Sequence, residues 1–112
     1  MNWKDIAVSP ETPIENAIRV IENTSLRIAL VVDENSCLQG TVTNGDIRQG
    51  LLNGMALDSP VKNIFYITPL VGSVDNDKDA ILQFMEENNV NQLPVVDRSG
   101  KMVRFEVLEY CA

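Results

Sequence analysis

The chain has 112 residues, of which 45% are hydrophobic and 22% charged, and its formal net charge is −7. This composition predicts one small globular domain, and the negative charge argues against nucleic acid or an anionic membrane as the main partner, because both are bound through clustered Lys and Arg. Cys37 and Cys111 are the only cysteines and histidine is absent, so we expect no disulfide framework and no metal site. The sequence has no signal-peptide pattern and no apolar run of ~20 residues, so we expect a cytoplasmic protein.

The first predicted helix begins near Thr12. Thr12 is a candidate N-cap, Pro13 suits the first helical position, and Glu15 would complete a capping box. The apolar face follows the helical spacing i, i+3, i+4, i+7 and consists of Ile14, Ala17, Ile18 and Ile21.

Two strands and a second helix follow this first helix. The apolar run 28–32 and the segment 38–42 are predicted strands, joined by a polar turn at residues 33–36. A helix is predicted from about Asn44 to Leu52, where Asn53 and Gly54 provide a typical C-terminal stop.

The second half of the chain repeats this pattern. The tripeptide Val-Val-Asp at residues 31–33 recurs at residues 95–97. Upstream, the spacing of Ile81, Phe84, Met85 and Asn88 predicts a helix, with the polar Asn88 at its end. Strands are expected at 93–96 and 102–107.

The connection between the halves is predicted as a linker at residues 55–60, followed by an extended segment at 63–67. We divide the chain into repeat 1 (residues 1–56) and repeat 2 (residues 57–112), each β-α-β-β-α, with a truncated last helix over 107–112. Neither repeat of ~50–60 residues would bury enough surface alone. The predicted fold is therefore α+β, with the two sheets packed against each other around a pseudo-twofold axis.

The first half carries a specific family pattern. It resembles the CBS domain at Val31, Val32, Asp33, Leu38, Gly40, Val42, Thr43, Asp46, Ile47 and Arg48. The tandem looks like a CBS pair, or Bateman module. The stretch 40–65 is similar to the CBS pair that precedes the catalytic domain in some bacterial sugar-phosphate nucleotidyltransferases. This resemblance implies a regulatory module rather than an enzyme, with catalysis in a C-terminal domain absent from this sequence. It also implies a homodimer, no required cofactor, and AMP, ADP or ATP as regulatory ligand.

The candidate site is Thr43-Asn44-Gly45-Asp46. One interpretation is a capping box, in which Thr43 and Asp46 satisfy the helix's own backbone donors. The other is a sugar-phosphate site: the helix N-terminus and the Thr43 hydroxyl would hold a phosphate, and the Asp46 carboxylate would accept from ribose hydroxyls. By family position, adenine would lie in an apolar slot whose walls are Ile6, Val8, Ile28 and Ala29.

The second half departs from the family pattern. Aligned on the shared motif, it has Arg104 for Gly40, Val107 for Thr43 and Tyr110 for Asp46. We therefore expect one nucleotide site rather than two. An alternative is a structural dimerisation module with no ligand. An enzyme in its own right is not expected, because no nucleophile with a base and no phosphate-binding glycine loop is recognisable.

Overall fold

The computed structural model describes residues 2–67 and 69–108. They form two three-stranded sheets of the same topology, in which the short first strand is parallel to the second and the second is antiparallel to the third. The first sheet contains β1 (Ala7–Val8), β2 (Ile28–Val32) and β3 (Leu38–Thr43). The second sheet contains β4 (Gly72–Ser73), β5 (Gln92–Val96) and β6 (Met102–Val107). The predicted α+β fold of two repeats is confirmed.

Three α-helices accompany the sheets: α1 (Ile14–Glu22), α2 (Asn44–Leu52) and α3 (Lys78–Glu87), with short 3-10 helices at Trp3–Ile6 and Val61–Asn63. The bounds predicted for α2 are confirmed, and Gly54 follows its end at φ +95°, a conformation that favours glycine. Asn88 is the C-cap of α3, as predicted. None of the helices in the described part of the chain has the length and apolar character needed to cross a membrane.

The start of α1 differs from the prediction. Pro13, not Thr12, is the N-cap residue, and no side chain caps the helix, so the predicted capping box with Glu15 is wrong. The Thr12 hydroxyl instead accepts a hydrogen bond from the Ser9 amide at 3.0 Å. Thr12 therefore closes the turn before the helix.

The connecting segment supplies the missing helix cap. We call residues 57–67 the strap. The amides of Ile14 and Glu15 donate to the carbonyls of Ser59 and Leu57, each at 2.9 Å. These carbonyls satisfy helix donors that have no partner within α1, so the strap is part of the structure of the first half.

The extended segment predicted at residues 63–67 is largely wrong. Val61–Asn63 is a 3-10 helix, and the strand-like pairing is a single bridge in which Tyr66 exchanges two backbone hydrogen bonds with Thr41, at 2.8 and 3.0 Å. The parallel strand that opens the second sheet is β4, Gly72–Ser73, instead. The division at residues 56 and 57 stays a prediction.

The two sheets pack against each other through the inter-sheet cluster, which we define as Ile6, Leu30, Met102 and Phe105. At one end of the sheets the two hairpin turns also bond to each other: the Leu38 amide donates to Gly100 and the Met102 amide to Ser36, each at 2.9 Å. Separate clusters lie beneath α1 and α2 on the first sheet and beneath α3 on the second. The predicted helix over 107–112 falls mainly outside the described residues, and Val107 itself ends β6.

Candidate functional site

Thr43 and Asp46 form a closed capping box at the start of α2. The Asp46 amide donates to Thr43 Oγ1 at 3.3 Å. In return, Asp46 Oδ2 accepts from the Thr43 amide at 2.9 Å and from the Thr43 hydroxyl at 3.0 Å. The capping box, one of the two interpretations of this motif, is therefore observed in the structure.

The same residues keep binding capacity beyond the cap. Asn44 and Gly45 are the first residues of α2, where backbone amides have no acceptor within the helix and favour an anion. Gly45 is exposed, and a Cβ added there would meet only Thr43 Oγ1, at 3.7 Å. Both hydrogen bonds to the Asp46 carboxylate, within the described residues, fall on Oδ2. Its Oδ1 therefore remains able to accept from a sugar hydroxyl.

Asp46 also lines a cavity of about 230 Å³ between α2 and the strap. The other lining residues come from α2, from its C-cap and from the strap: Gly50 and Ile64, and three with side-chain amides, Gln49, Asn53 and Asn63. Asp46 is half-buried, and its side toward the cavity is open. The open side of Asp46 is thus accessible to a small polar group.

Only one of the four predicted wall residues lies beside the cap. Ile28 is half-buried and is the direct β-sheet partner of Thr43. Ile6 and Ala29 have no exposed surface, and Val8 is 8% exposed. Ile6 belongs to the inter-sheet cluster, whereas Val8 and Ala29 pack beneath α1 and α2. A purine would reach these three only after side chains move, so their role as walls stays a prediction.

In the second half, as far as residue 108, the hydroxyl of the cap is replaced. Val107 pairs with Gln92 as Thr43 pairs with Ile28, so a methyl group replaces the hydroxyl at this position. Arg104 occupies the register position of Gly40, and its Nε donates to Glu106 at 2.6 Å. Tyr110, the third predicted departure, lies outside the described residues.

Gln92 is a residue near the site that sequence reasoning missed. Its Nε2 donates to the Leu26 carbonyl at 2.8 Å and so joins the two halves. Together with Val90 and Asn91, it lines a cavity of about 420 Å³ in the described part of the chain. The sequence contained one indication of this role: Gln92 is polar, whereas Ile28, at the same strand position in the first half, is apolar.

The chemical groups at the start of α2 indicate which kind of ligand this site could bind. Among residues 2–67 and 69–108, no group of three or more His, Cys, Asp or Glu side chains is arranged to hold a metal ion. The polar groups that the α2 start offers are amides, one hydroxyl and one carboxylate. This set suits a ligand that combines hydroxyls with a phosphate.

Both halves of the chain match the same family. The sequence model of the CBS domain matches residues 1–53 and again residues 61–104. The chain belongs to the CBS domain family. Because the two matches follow each other in one chain, the molecule is a tandem CBS pair, and the predicted resemblance to a CBS pair is confirmed.

The chain matches a minor part of longer curated relatives. An inosine-5'-monophosphate dehydrogenase from Nitrosopumilus maritimus is 33% identical over 94 residues, covering 84% of this chain and 19% of that protein. Arabinose 5-phosphate isomerase GutQ from Salmonella typhi is 30% identical over 93 residues, covering 81% of this chain and 28% of that protein. The chain spans less than a third of the length of such relatives.

Solved structures share the fold at lower identity. CBSX2 in complex with AMP superposes with a TM-score of 0.73 at 23% identity, covering 90% of this chain and 79% of that chain. The cytosolic domain of the Mg²⁺ channel MgtE in complex with ATP gives 0.73 at 21% identity, covering 91% and 41%. These likenesses establish the arrangement of a CBS pair.

Proposed function

We propose that this CBS pair is a regulatory module that binds an adenine nucleotide, AMP, ADP or ATP, at Thr43–Asp46 and controls an attached catalytic domain. The observation that carries the proposal is the start of α2, where free amides, a hydroxyl and a carboxylate with an available oxygen lie within one helical turn. CBSX2 with AMP and MgtE with ATP support the ligand class. In this proposal the module regulates and does not itself catalyse.

The capping box limits the affinity for a nucleotide, because the ligand must compete with it. In the proposed complex the phosphate accepts hydrogen bonds from the amides of Asn44 and Gly45 and from the Thr43 hydroxyl. A ribose hydroxyl donates to Asp46 Oδ1. Because the Thr43 hydroxyl already donates to Asp46, the ligand replaces an existing hydrogen bond and gains only the difference. We therefore expect dissociation constants from micromolar to millimolar, on the order of −8 to −4 kcal/mol, which suits a sensor of metabolite concentration.

Isothermal titration calorimetry with AMP, ADP and ATP tests this function. The wild type should release or absorb heat with at least one nucleotide, and Asp46→Ala should weaken that binding about tenfold, because the charge-assisted hydrogen bond from the ribose hydroxyl to the carboxylate is lost. The matched control is Asp77→Ala, which removes the carboxylate that caps α3 by accepting from Ala80 at 2.8 Å. It should bind normally.

Two results would overturn the nucleotide proposal. One is the absence of binding for all three nucleotides in the wild type; the other is equal affinity in Asp46→Ala and wild type. A stable dimer whose melting temperature no nucleotide changes would instead favour the alternative of a dimerisation module without a ligand, which the closed cap and the lost second motif support.

We also propose that the CBS pair forms a homodimer, as its family resemblance implies. Exposed apolar side chains such as Leu52, which is 76% exposed, and Ile67, which is 70% exposed, support this by offering surface that association would bury. Light scattering over a range of concentrations tests it. A molar mass that stays at 12.4 kDa throughout would exclude the dimer.

The proposed catalytic partner is a sugar-phosphate nucleotidyltransferase, supported by the resemblance of residues 40–65. Reading the coding sequence downstream of codon 112 tests this proposal directly, and a dehydrogenase or isomerase domain there would overturn it. We place the module in the cytoplasm, where Cys37, a free thiol, would remain reduced; cell fractionation tests the compartment.

A further inference from the structure

Gln92 joins the two repeats at the end of the sheets where the candidate site lies. It is the first residue of β5, and its part-buried Nε2 donates to the Leu26 carbonyl at 2.8 Å. The backbone bonds between the hairpin turns lie at the other end of β2. Five residues of strand separate the two ends, about 16 Å at the usual rise. The repeats are thus connected at both ends, by backbone at the turns and by one glutamine near the site.

Leu26 is held in three ways. Its amide donates to Thr24 Oγ1 at 3.3 Å, its carbonyl accepts from Gln92, and its side chain packs against the inter-sheet cluster. The next residue, Arg27, has φ +59°, a left-handed conformation that is unfavourable for a residue with a Cβ. Surrounding contacts must maintain this conformation. One of them is the Gln92 hydrogen bond, which restrains the carbonyl of the peptide that joins Leu26 to Arg27.

The loop leads directly into the candidate site. Ile28 follows Arg27, begins β2, and is the sheet partner of Thr43. Thr43 in turn supplies the hydroxyl and the amide that bond Asp46. A displacement of the Leu26 carbonyl therefore shifts the start of β2 and, through one ladder pair, the cap of α2.

We propose that Gln92 is a positioning residue through which the second repeat sets the geometry of the Thr43–Asp46 site. Its amide fixes Leu26, Leu26 fixes the first residue of β2, and β2 fixes Thr43. Where the effect concerns nucleotide affinity, this inference rests on the proposed function. Where it concerns the geometry of the free protein, it stands on the hydrogen bonds alone.

The test uses Gln92→Glu, which keeps the side-chain size but removes the donor, and Gln92→Ala, which removes the amide entirely. The matched control is Gln83→Glu, which introduces the same charge on α3, where Gln83 donates to Glu87 at 2.9 Å. The first measurement is the ¹H–¹⁵N NMR spectrum of each protein without ligand. Both Gln92 variants should move the amide resonances of Thr43 and Asp46, and the control should leave them in place.

The second measurement is calorimetry with AMP. Each Gln92 variant should bind about threefold to tenfold more weakly than wild type, the effect of one net hydrogen bond, while Gln83→Glu should match wild type. A purely structural role would lower the melting temperature but leave the Thr43 and Asp46 resonances of the folded protein unchanged, and this result would overturn the proposal. If the wild type binds no nucleotide, the proposed function fails, whereas the NMR comparison still decides the role of Gln92.

Discussion

Gly40 lies directly beneath Phe65 and the carbonyl oxygen of Tyr66, so a Cβ at position 40 would overlap both. The strap crosses β3 here, because Tyr66 exchanges backbone hydrogen bonds with the neighbouring Thr41. In the second repeat Arg104 takes the same register position, and within residues 2–67 and 69–108 neither Arg104 nor Phe105 forms a bridge like that of Thr41 with Tyr66. The glycine of the family pattern is therefore a packing requirement of the strap.

Gly40→Ala should destabilise the protein by about 1–3 kcal/mol, the usual cost of overpacking a closed site. The opposing atoms are a backbone carbonyl and an aromatic ring, neither of which yields easily. Urea denaturation measures the effect. Gly45→Ala is the control: its Cβ meets only Thr43 Oγ1 at 3.7 Å, and alanine favours a helix, so its stability should stay within about 1 kcal/mol of wild type. Equal stability of Gly40→Ala and wild type would contradict the strap contact.

The strap should also be coupled to α2 through Gly50 and Ile64. A Cβ on Gly50 would lie 2.7 Å from Ile64 Cγ2, and because that methyl group is on a β-branched side chain it has little freedom to move. Gly50→Ala should therefore cost about 1–3 kcal/mol. In the background Ile64→Ala the cost should fall, giving a coupling energy of about 0.5–3 kcal/mol.

The control for this double-mutant cycle pairs Gly45→Ala with Ile64→Ala. Gly45 is in the same helix, but a Cβ added there would meet Thr43 Oγ1 and not Ile64, so the two effects should add to within about 0.5 kcal/mol. Additive effects for Gly50 and Ile64 as well would show that the strap does not rest on α2.

Much of the fold follows from local patterns in the sequence. The apolar runs at β2 and β5 and the helical spacing of α1 report burial directly. The α2 start was equally predictable, because a capping box is formed by residues three apart and needs no distant partner. The local half of the candidate site was therefore visible in the sequence.

The features that the sequence did not reveal depend on distant partners. Thr12 has the right residue type for an N-cap, but the strap carbonyls satisfy the first amides of α1. β4 is two residues long and contains Gly72, which carries no apolar periodicity. The Gln92 bond requires knowledge of how the repeats face each other. Local chemistry predicts an element, whereas the partner of an unpaired backbone group is fixed only by tertiary structure.

Thr43→Ala should cost about 0.5–2 kcal/mol, the usual effect of losing an N-cap hydroxyl. The variant loses the acceptor for the Asp46 amide and a donor to Asp46 Oδ2. Thr43→Ser keeps both and should recover most of the difference. Urea denaturation of the three proteins provides the measurement. If Thr43→Ala and Thr43→Ser unfold at the same urea concentration, the cap contributes nothing to stability.

The two repeats should unfold as one cooperative unit, because the inter-sheet cluster takes Leu30 from the first repeat and Phe105 from the second. Trp3, the single tryptophan, packs against this cluster and reports on it by fluorescence, while far-UV circular dichroism reports on helices and strands of both repeats. The two probes should give one coincident urea transition.

Leu30→Ala should move both midpoints together by the equivalent of about 2–5 kcal/mol, because Leu30 has no exposed surface. Gln83→Ala, at an exposed polar side chain of α3, should move neither. Separate midpoints for fluorescence and circular dichroism would mean that each repeat folds alone, and the inter-sheet cluster would then not be what holds the pair together.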